Sequence, residues 1–322
     1  MITTPRSLWT AGRNRIPSTE LLADWGYAAG WQLVRAMPEL LARNAFGAGA
    51  RYAALGGGPE QLRKKLARLI GTTPAEVPDD RMRASLAPFA RCWREAFRLP
   101  SMDLTAVARR LDQVFQGAEH FAAAHAAGRG AVMALPHSGN WDMAGVWLAQ
   151  NYGTFTTVAE RLKPESLYDR FIECRGSLGF EVLPLSGGQR PPLEVLAERL
   201  GDNRFVCLMA DRDLTRSGVQ VDFFGEPTRL PAGPAKLAIS TGAPLHPAHV
   251  YYDGDDCVVM IGDEIDTGSG DIGRVTQALA DRFAENIAAH PQDWHMLQPQ
   301  WLADLSQERR ARIESGTGGE PS

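Results

Sequence analysis

The sequence predicts an α/β protein in which a helical N-terminal region precedes a mostly parallel central sheet flanked by helices. Two observations carry this. The first 125 or so residues read as successive helices, and the pattern changes at Ala131, where the first of six short apolar runs begins. Helical stretches separate most of these runs, and strand–helix alternation of this kind builds parallel sheets.

Taken in order, Ser18 suits an N-cap for a helix over 19–36, ended or restarted at Pro38. At 100° per residue, Glu20, Asp24, Gln32 and Arg35 fall within an arc of roughly 120°. The rest of that helix carries Leu21, Leu22, Trp25, Tyr27, Trp31, Leu33 and Val34. A surface so rich in apolar and aromatic groups either lies in a lipid interface or packs on the core or a partner subunit. Further helices are predicted over 58–71, 82–98, 104–116 and 118–127, with Gly56-Gly57-Gly58-Pro59 as a break before the first. The apolar runs 131–135, 154–158, 180–183, 205–209, 245–251 and 257–261 suit buried strands. Helices are predicted at 141–150, 164–178, 191–201, 232–241 and 272–289. The organisation expected is a helical, membrane-contacting region over 1–125, an α/β core over 126–310 and a disordered tail over 311–322.

Composition narrows the class. The 322 residues are 44% hydrophobic and 22% charged, as in ordinary globular proteins. The net charge of −4 conceals an asymmetry. Residues 1–68 hold ten Arg and Lys against four acids, so that segment is +6 and the remainder −10. A basic segment on an acidic body suits an anionic surface, either nucleic acid or a lipid leaflet. The first 20 residues lack the apolar run of a signal peptide, and no later run reaches the ~20 residues of a spanning helix. Cys92, Cys174, Cys207 and Cys257 form no C-x2-C pair and are expected to be reduced. His246-x2-His249 and His120-x4-His125 have metal-like spacing but no supporting ligands, so no metal is expected. Neither a G-x-G-x-x-G nor a Walker-type loop is present, which argues against a nucleotide cofactor.

The run Ala131–Leu135 leads directly into Pro136-His137-Ser138-Gly139-Asn140-Trp141-Asp142 and then a helix. Chemistry on α/β sheets gathers at the carboxyl ends of strands, and His137 occupies such an end. Asp142 is five residues on, ~140° away on a regular helix, so the pair can meet only if the turn at Gly139 and Asn140 bends back. A carboxylate on one imidazole nitrogen fixes the tautomer and stabilises the imidazolium, which makes histidine a general base near neutral pH. By spacing alone, H-x4-D also fits a histidine closing a strand and an aspartate opening a helix.

H-x4-D after a strand resembles the signature of glycerophospholipid-type acyltransferases. The longer string Leu135–Asp142 resembles the branch that includes lipid A acyltransferases and actinobacterial phosphatidylinositol mannoside acyltransferases. Thr156–Pro164, Phe180–Gly188, Val221–Thr228 and His290–Trp301 are similar to the latter, as is Trp25–Trp31, so the resemblance runs over about 20–310. It implies an acyl-CoA donor carrying a palmitoyl-type chain, used as a substrate with no further cofactor. It also implies a mannose hydroxyl of a phosphatidylinositol mannoside as acceptor. The setting implied is peripheral, on the cytoplasmic face of the inner membrane, with an anionic lipid surface rather than nucleic acid as partner.

By motif position the resemblance implies His137 and Asp142 as the catalytic dyad. Glu160 and Arg175 would lie near thioester and acceptor, and Ser217 by the acyl-CoA. Asp211 is a third catalytic candidate: it stands where these enzymes usually carry Glu, and its carboxylate, one methylene shorter, can bond a sugar or His137 with altered reach. Ser240 replaces an expected acid. Arg175 and Arg212 are the arginines favoured for phosphate contact, since guanidinium binds phosphate bidentately. The helix after Asp142 is expected to line an acyl slot with Met143, Val146, Trp147 and Leu148. His290, Trp294, His295 and Trp301 are expected to pack around the sheet. An acyl carrier protein donor, a hydrolase and a non-catalytic lipid-binding protein are the competing expectations.

Overall fold

The structure, a computed structural model, describes residues 19–161 and 165–315; residues 1–18, with the expected cap Ser18, 162–164 and 316–322 lie outside the described residues. The N-terminal layer holds α1 (Thr19–Ala36), α2 (Glu39–Ala53), α3 (Glu60–Ile70) and α4 (Asp79–Arg98), followed by α5 (Leu104–Asp112) and α6 (Ala118–Ala126). Pro38 separates α1 from α2, where its extended φ/ψ starts a new helix. Ala50, Leu62, Leu66, Ala67, Val77, Met82 and Leu86 form a small apolar core among α2, α3 and α4.

The body alternates β1 (Ala131–Leu135), α7 (Trp141–Tyr152), β2 (Phe155–Ala159), α8 (Glu165–Ser177), β3 (Phe180–Pro184), α9 (Pro192–Gly201) and β4 (Phe205–Met209). A hairpin, β5 (Val219–Phe223) and β6 (Glu226–Leu230), precedes α10 (Gly233–Thr241), β7 (Leu245–Asp253), β8 (Asp256–Ile261) and α11 (Ile272–Ala289). The six-stranded sheet has the order β3-β2-β4-β1-β7-β8. All neighbours are parallel except β7 and β8. The expected α/β architecture is therefore the observed one.

β1 explains why its residues read as a continuous apolar run. Val132 and Ala134 enter a core shared with α9, α10 and α11. Ala131, Met133 and Leu135 enter a second core with α5, α6 and α7. A strand covered on both faces needs no polar alternation. The hairpin β5–β6 is not among the expected strands. Its turn, Phe224-Gly225, has φ of +55° and +75°, the left-handed pair that two-residue hairpins of the primed kind require. After α11 the described chain closes with α12 (Gln307–Ser315), which takes in residues 311–315 of the expected tail.

Candidate active site

Strand register builds the site. β1 and β4 are parallel with Leu135 opposite Met209, so continuing both strands by two residues sets His137 opposite Asp211. Ala210 N–H donates to Leu135 O at 2.7 Å, which extends the ladder one step past the strand ends. At the next step the Asp211 side chain takes over, with Oδ2 accepting from His137 N–H at 3.0 Å. Asp211 Oδ1 lies 2.7 Å from His137 Nδ1. An ionised carboxylate only accepts, so Nδ1 is the donor and Nε2 keeps its lone pair.

The turn after His137 is held from several sides. Gly139 has φ +55°, and a Cβ there would lie 2.5 Å from Val250 O, so glycine alone fits. Gly139 N–H donates to Asp293 O at 2.9 Å, and His295 N–H to His137 O at 2.6 Å. Asn140 caps α7 by accepting from Met143 N–H at 3.2 Å. Its amide donates to Glu95 Oε2 at 3.1 Å, and Tyr252 Oη donates to the same oxygen at 2.9 Å. Glu95, on α4, thus ties the N-terminal layer to the start of α7.

Asp211 is fully buried. Its Oδ2 also accepts from Trp294 Nε1 at 2.8 Å, and Gln300 Nε2 donates to its backbone O at 2.6 Å. Burial alone would raise its pKa, but His137 and these hydrogen bonds outweigh burial and hold it below the usual carboxylate range. The converse holds for His137. Desolvation pulls its pKa down most strongly, yet the charge and hydrogen bond of Asp211 leave it raised. The imidazole is 38% exposed, so Nε2 is reachable.

In this geometry the carboxylate that meets His137 is Asp211, not Asp142. Asp142 lies in the first turn of α7, but its carboxylate faces α8. There Arg175 Nε donates to Oδ1 at 2.9 Å and Nη2 to Oδ2 at 3.3 Å. The α7 residue against the imidazole is Trp141, edge-on at 5.6 Å between ring centroids. The turn at Gly139 does bend the chain, yet the register of β4 supplies the carboxylate.

The other expected site residues divide. Glu160 is exposed just past β2, on the same sheet edge as His137, and its charge is felt by Arg212. Arg212 follows Asp211 and donates Nε to Pro299 O at 2.7 Å; burial and then Arg309 lower its pKa. Ser217 belongs to an exposed turn between β4 and β5, bonded to Thr215 Oγ1 at 2.7 Å and donating to Asp213 Oδ2 at 3.3 Å. Ser240 is not brought to the site. It lies near the end of α10 and donates to Leu237 O, and α10 leads into β7, whose Leu245 pairs with Val132 at the start of β1. His137 is at the opposite end of that strand.

Trp294 was expected only to pack. It does, at 1% exposure, but it also orients Asp211. The signal in the sequence was its place in the string His290–Trp301; an indole N–H that is buried needs an acceptor.

Beside the site, between α7 and the sheet, lies an apolar cavity of about 80 Å³, partly open to solvent. Its walls include Phe115, Met133, Leu135, Trp147, Leu148, Phe155 and Phe180. Trp141, Asp142 and Arg175 line it too, so it reaches the residues around His137. Trp147 and Leu148 line it as expected, whereas Val146 is fully buried in the core and Met143 packs against that core.

A family model described as bacterial lipid A biosynthesis acyltransferase matches residues 12–303. The chain belongs to this family. It is an acyltransferase, as curated relatives also are. It is 69% identical over 299 residues to a phosphatidylinositol mannoside acyltransferase of Mycolicibacterium smegmatis, which covers 93% of this chain and 98% of that relative. It is 66% identical over 297 residues to the protein of the same name in Mycobacterium tuberculosis H37Rv, covering 92% and 94%. The counterpart from the CDC 1551 strain matches to the same extent.

Proposed function

We propose that the chain transfers a palmitoyl-type chain from acyl-CoA to a mannose hydroxyl of a phosphatidylinositol mannoside, with His137 as general base. The observation that carries this reading is the 2.7 Å pairing of a buried aspartate with Nδ1 of a reachable histidine beside an apolar cavity. The names of the mycobacterial relatives supply the acceptor class.

In this mechanism Nε2 accepts the hydroxyl proton as the oxygen attacks the thioester carbonyl. Asp211 stabilises the imidazolium across Nδ1. The tetrahedral intermediate then collapses, the C–S bond breaks, and the imidazolium returns its proton to the departing CoA thiolate. The acyl chain runs into the cavity between α7 and the sheet. Glu160 and Arg212, just past the carboxyl ends of β2 and β4, and Arg175, on α8 against Asp142, are assigned to substrate contact, with Asp142 holding Arg175 in position. Ser217 is retained as a contact for the CoA portion.

The setting proposed is the cytoplasmic face of the plasma membrane, with the chain bound peripherally. Leu40, Leu41, Arg51 and Tyr52 fall within an arc of roughly 120° on α2, and Leu40, Leu41 and Tyr52 are exposed. Exposed leucine and tyrosine beside arginine suit an anionic lipid interface. No described helix is long and apolar enough to cross a membrane.

The test is transfer of radiolabelled palmitate from palmitoyl-CoA to purified phosphatidylinositol mannosides by wild type and His137→Ala. Acylated lipid from wild type alone supports the reading. Free fatty acid without acylated lipid contradicts it and indicates a hydrolase or another acceptor. Transfer only from palmitoyl–acyl carrier protein contradicts the donor assignment.

A further inference from the structure

Lys65 lies on α3 with Leu62 and Leu66, and it is 2% exposed. An ammonium taken out of water is costly unless other groups compensate. Its Nζ donates to the carbonyl oxygen of Trp294 and stands 5.0 Å from the centroid of the Trp294 ring. The indole N–H of that same tryptophan donates to Asp211 Oδ2 at 2.8 Å. Asp211 in turn holds His137 Nδ1 at 2.7 Å. One tryptophan therefore stands between a buried cation and the carboxylate behind the base. The segment around it is pinned to α3 a second time, where Arg68 stacks over Trp301 at 4.5 Å and donates to both carboxylate oxygens of Asp304.

We propose that Lys65 is a positioning residue for acyl transfer: it braces Trp294 against Asp211, and its positive charge weakens the hold of Asp211 on the proton of His137. The inference rests on His137 being the base. The titratable groups facing Lys65 come from three elements: Asp211 after β4, and Asp293 and His295 from the segment after α11, with His137 next in line after β1. Burial pulls the Lys65 ammonium down to about 7, against the opposing pull of Asp211 and Asp293. The Lys65 ammonium and the His137 imidazolium therefore act on the same Asp211 carboxylate.

The sign follows from the charges. Removing the cation leaves the Asp211 carboxylate unopposed, so the imidazolium is favoured and a higher pH is needed to free Nε2. Lys65→Met is expected to move the acidic limb of the kcat–pH profile upward by ~0.5 unit or more. One unit below the wild-type limb, that lowers the rate about threefold relative to the plateau. A lysine with a merely structural role would lower kcat or melting temperature at every pH and leave the limb where it was.

A second measurement needs no Lys65 variant. In NMR of protein labelled at lysine Cε, the Lys65 midpoint is expected to fall in Asp211→Asn, which removes a carboxylate that favours the ammonium. An unmoved limb in Lys65→Met, or an unmoved Lys65 midpoint in folded Asp211→Asn, overturns the proposal. Should Lys65→Met not fold, the NMR arm decides. Transfer that survives in His137→Ala would instead overturn the assignment of the base, and the NMR midpoint would still report whether Lys65 and Asp211 are coupled.

Discussion

His137 and Asp211 are 74 residues apart in the chain, yet Nδ1 of one lies 2.7 Å from Oδ1 of the other. The parallel register of β1 and β4 brings them together, and two hydrogen bonds to Asp211 Oδ2, from His137 N–H and Trp294 Nε1, fix the carboxylate. The imidazole is thus oriented by a residue on a neighbouring strand end rather than by the next carboxylate in sequence.

Asp142 and Arg175 form a two-point ion pair with side chains 13% and 21% exposed. Removing one partner strands the other in a largely desolvated place. Asp142→Asn and Arg175→Gln are each expected to lower stability by about 1–3 kcal/mol, and the double variant by less than the sum. Thermal melts of the four proteins in the cycle measure the coupling; strictly additive losses would mean that the pair contributes nothing as a pair.

The cavity walls predict which substitutions alter acyl-chain preference. Ala144 lines the cavity, and Val146 does not. Ala144→Leu narrows the slot, so kcat/KM for a C12 donor relative to C16 is expected to rise by ~10-fold or more. Val146→Ala should cost stability through a core void and leave the donor ratio alone. Competition between C12 and C16 acyl-CoA distinguishes the two outcomes.

Glu181 on β3 is gripped by Arg199 at 2.6 and 2.8 Å, by Arg204 at 3.0 Å and by Thr156 Oγ1 at 2.7 Å. The hydrogen bond from Arg199 is the largest cause of its pKa falling from 4.5 to about 2. A carboxyl with a depressed folded pKa contributes stability that is complete above its unfolded value and is lost as pH falls through the folded one. Glu181→Gln should therefore be less stable than wild type at pH 7, with the gap narrowing as pH drops from about 4.5 toward about 2. Urea midpoints across that range are the check, and a gap independent of pH would assign the loss to packing.

On α2, Leu40 and Leu41 are exposed among the described residues. Leu40→Asp with Leu41→Asp is expected to reduce cosedimentation with anionic phosphatidylinositol vesicles several-fold while leaving the melting temperature within about 1–2 °C. Unchanged cosedimentation would remove this face from the lipid contact.

Much of this was legible before the fold was known. Strands β1, β4 and β8 declared themselves because apolar runs with turn residues at both ends have few other uses in an α/β chain. His137 stood out because a histidine directly after such a run sits at a strand's carboxyl end. Two features were hidden for the same reason: they depend on pairing. Asp211 is a catalytic candidate from the sequence, but nothing local in Ala210-Asp211-Arg212 says that β4 lies beside β1, so its pairing with His137 could not be told from contact with a sugar. Trp294 read as a packing residue and Lys65 as part of a basic segment suited to an anionic surface, since a buried indole N–H and a buried ammonium acquire meaning only from what they face. The β5–β6 hairpin escaped because its turn uses Phe224 at positive φ, a conformation that bulky residues rarely signal.

The most direct measurement is the pH dependence of kcat for acyl transfer by wild type, Asp211→Asn and Asp142→Asn. The His137 pKa is raised chiefly by Asp211 acting against burial, and the base works only when neutral, so the wild-type rate should fall as pH drops through that raised value. Asp211→Asn is expected to lose ~10²-fold or more in plateau rate with the fold retained, because an amide can hold the wrong tautomer. Asp142→Asn should keep the acidic limb near the wild-type position. A near-normal plateau in Asp211→Asn, with the limb displaced only in Asp142→Asn, would contradict the assignment of Asp211 as the carboxylate that orients the base.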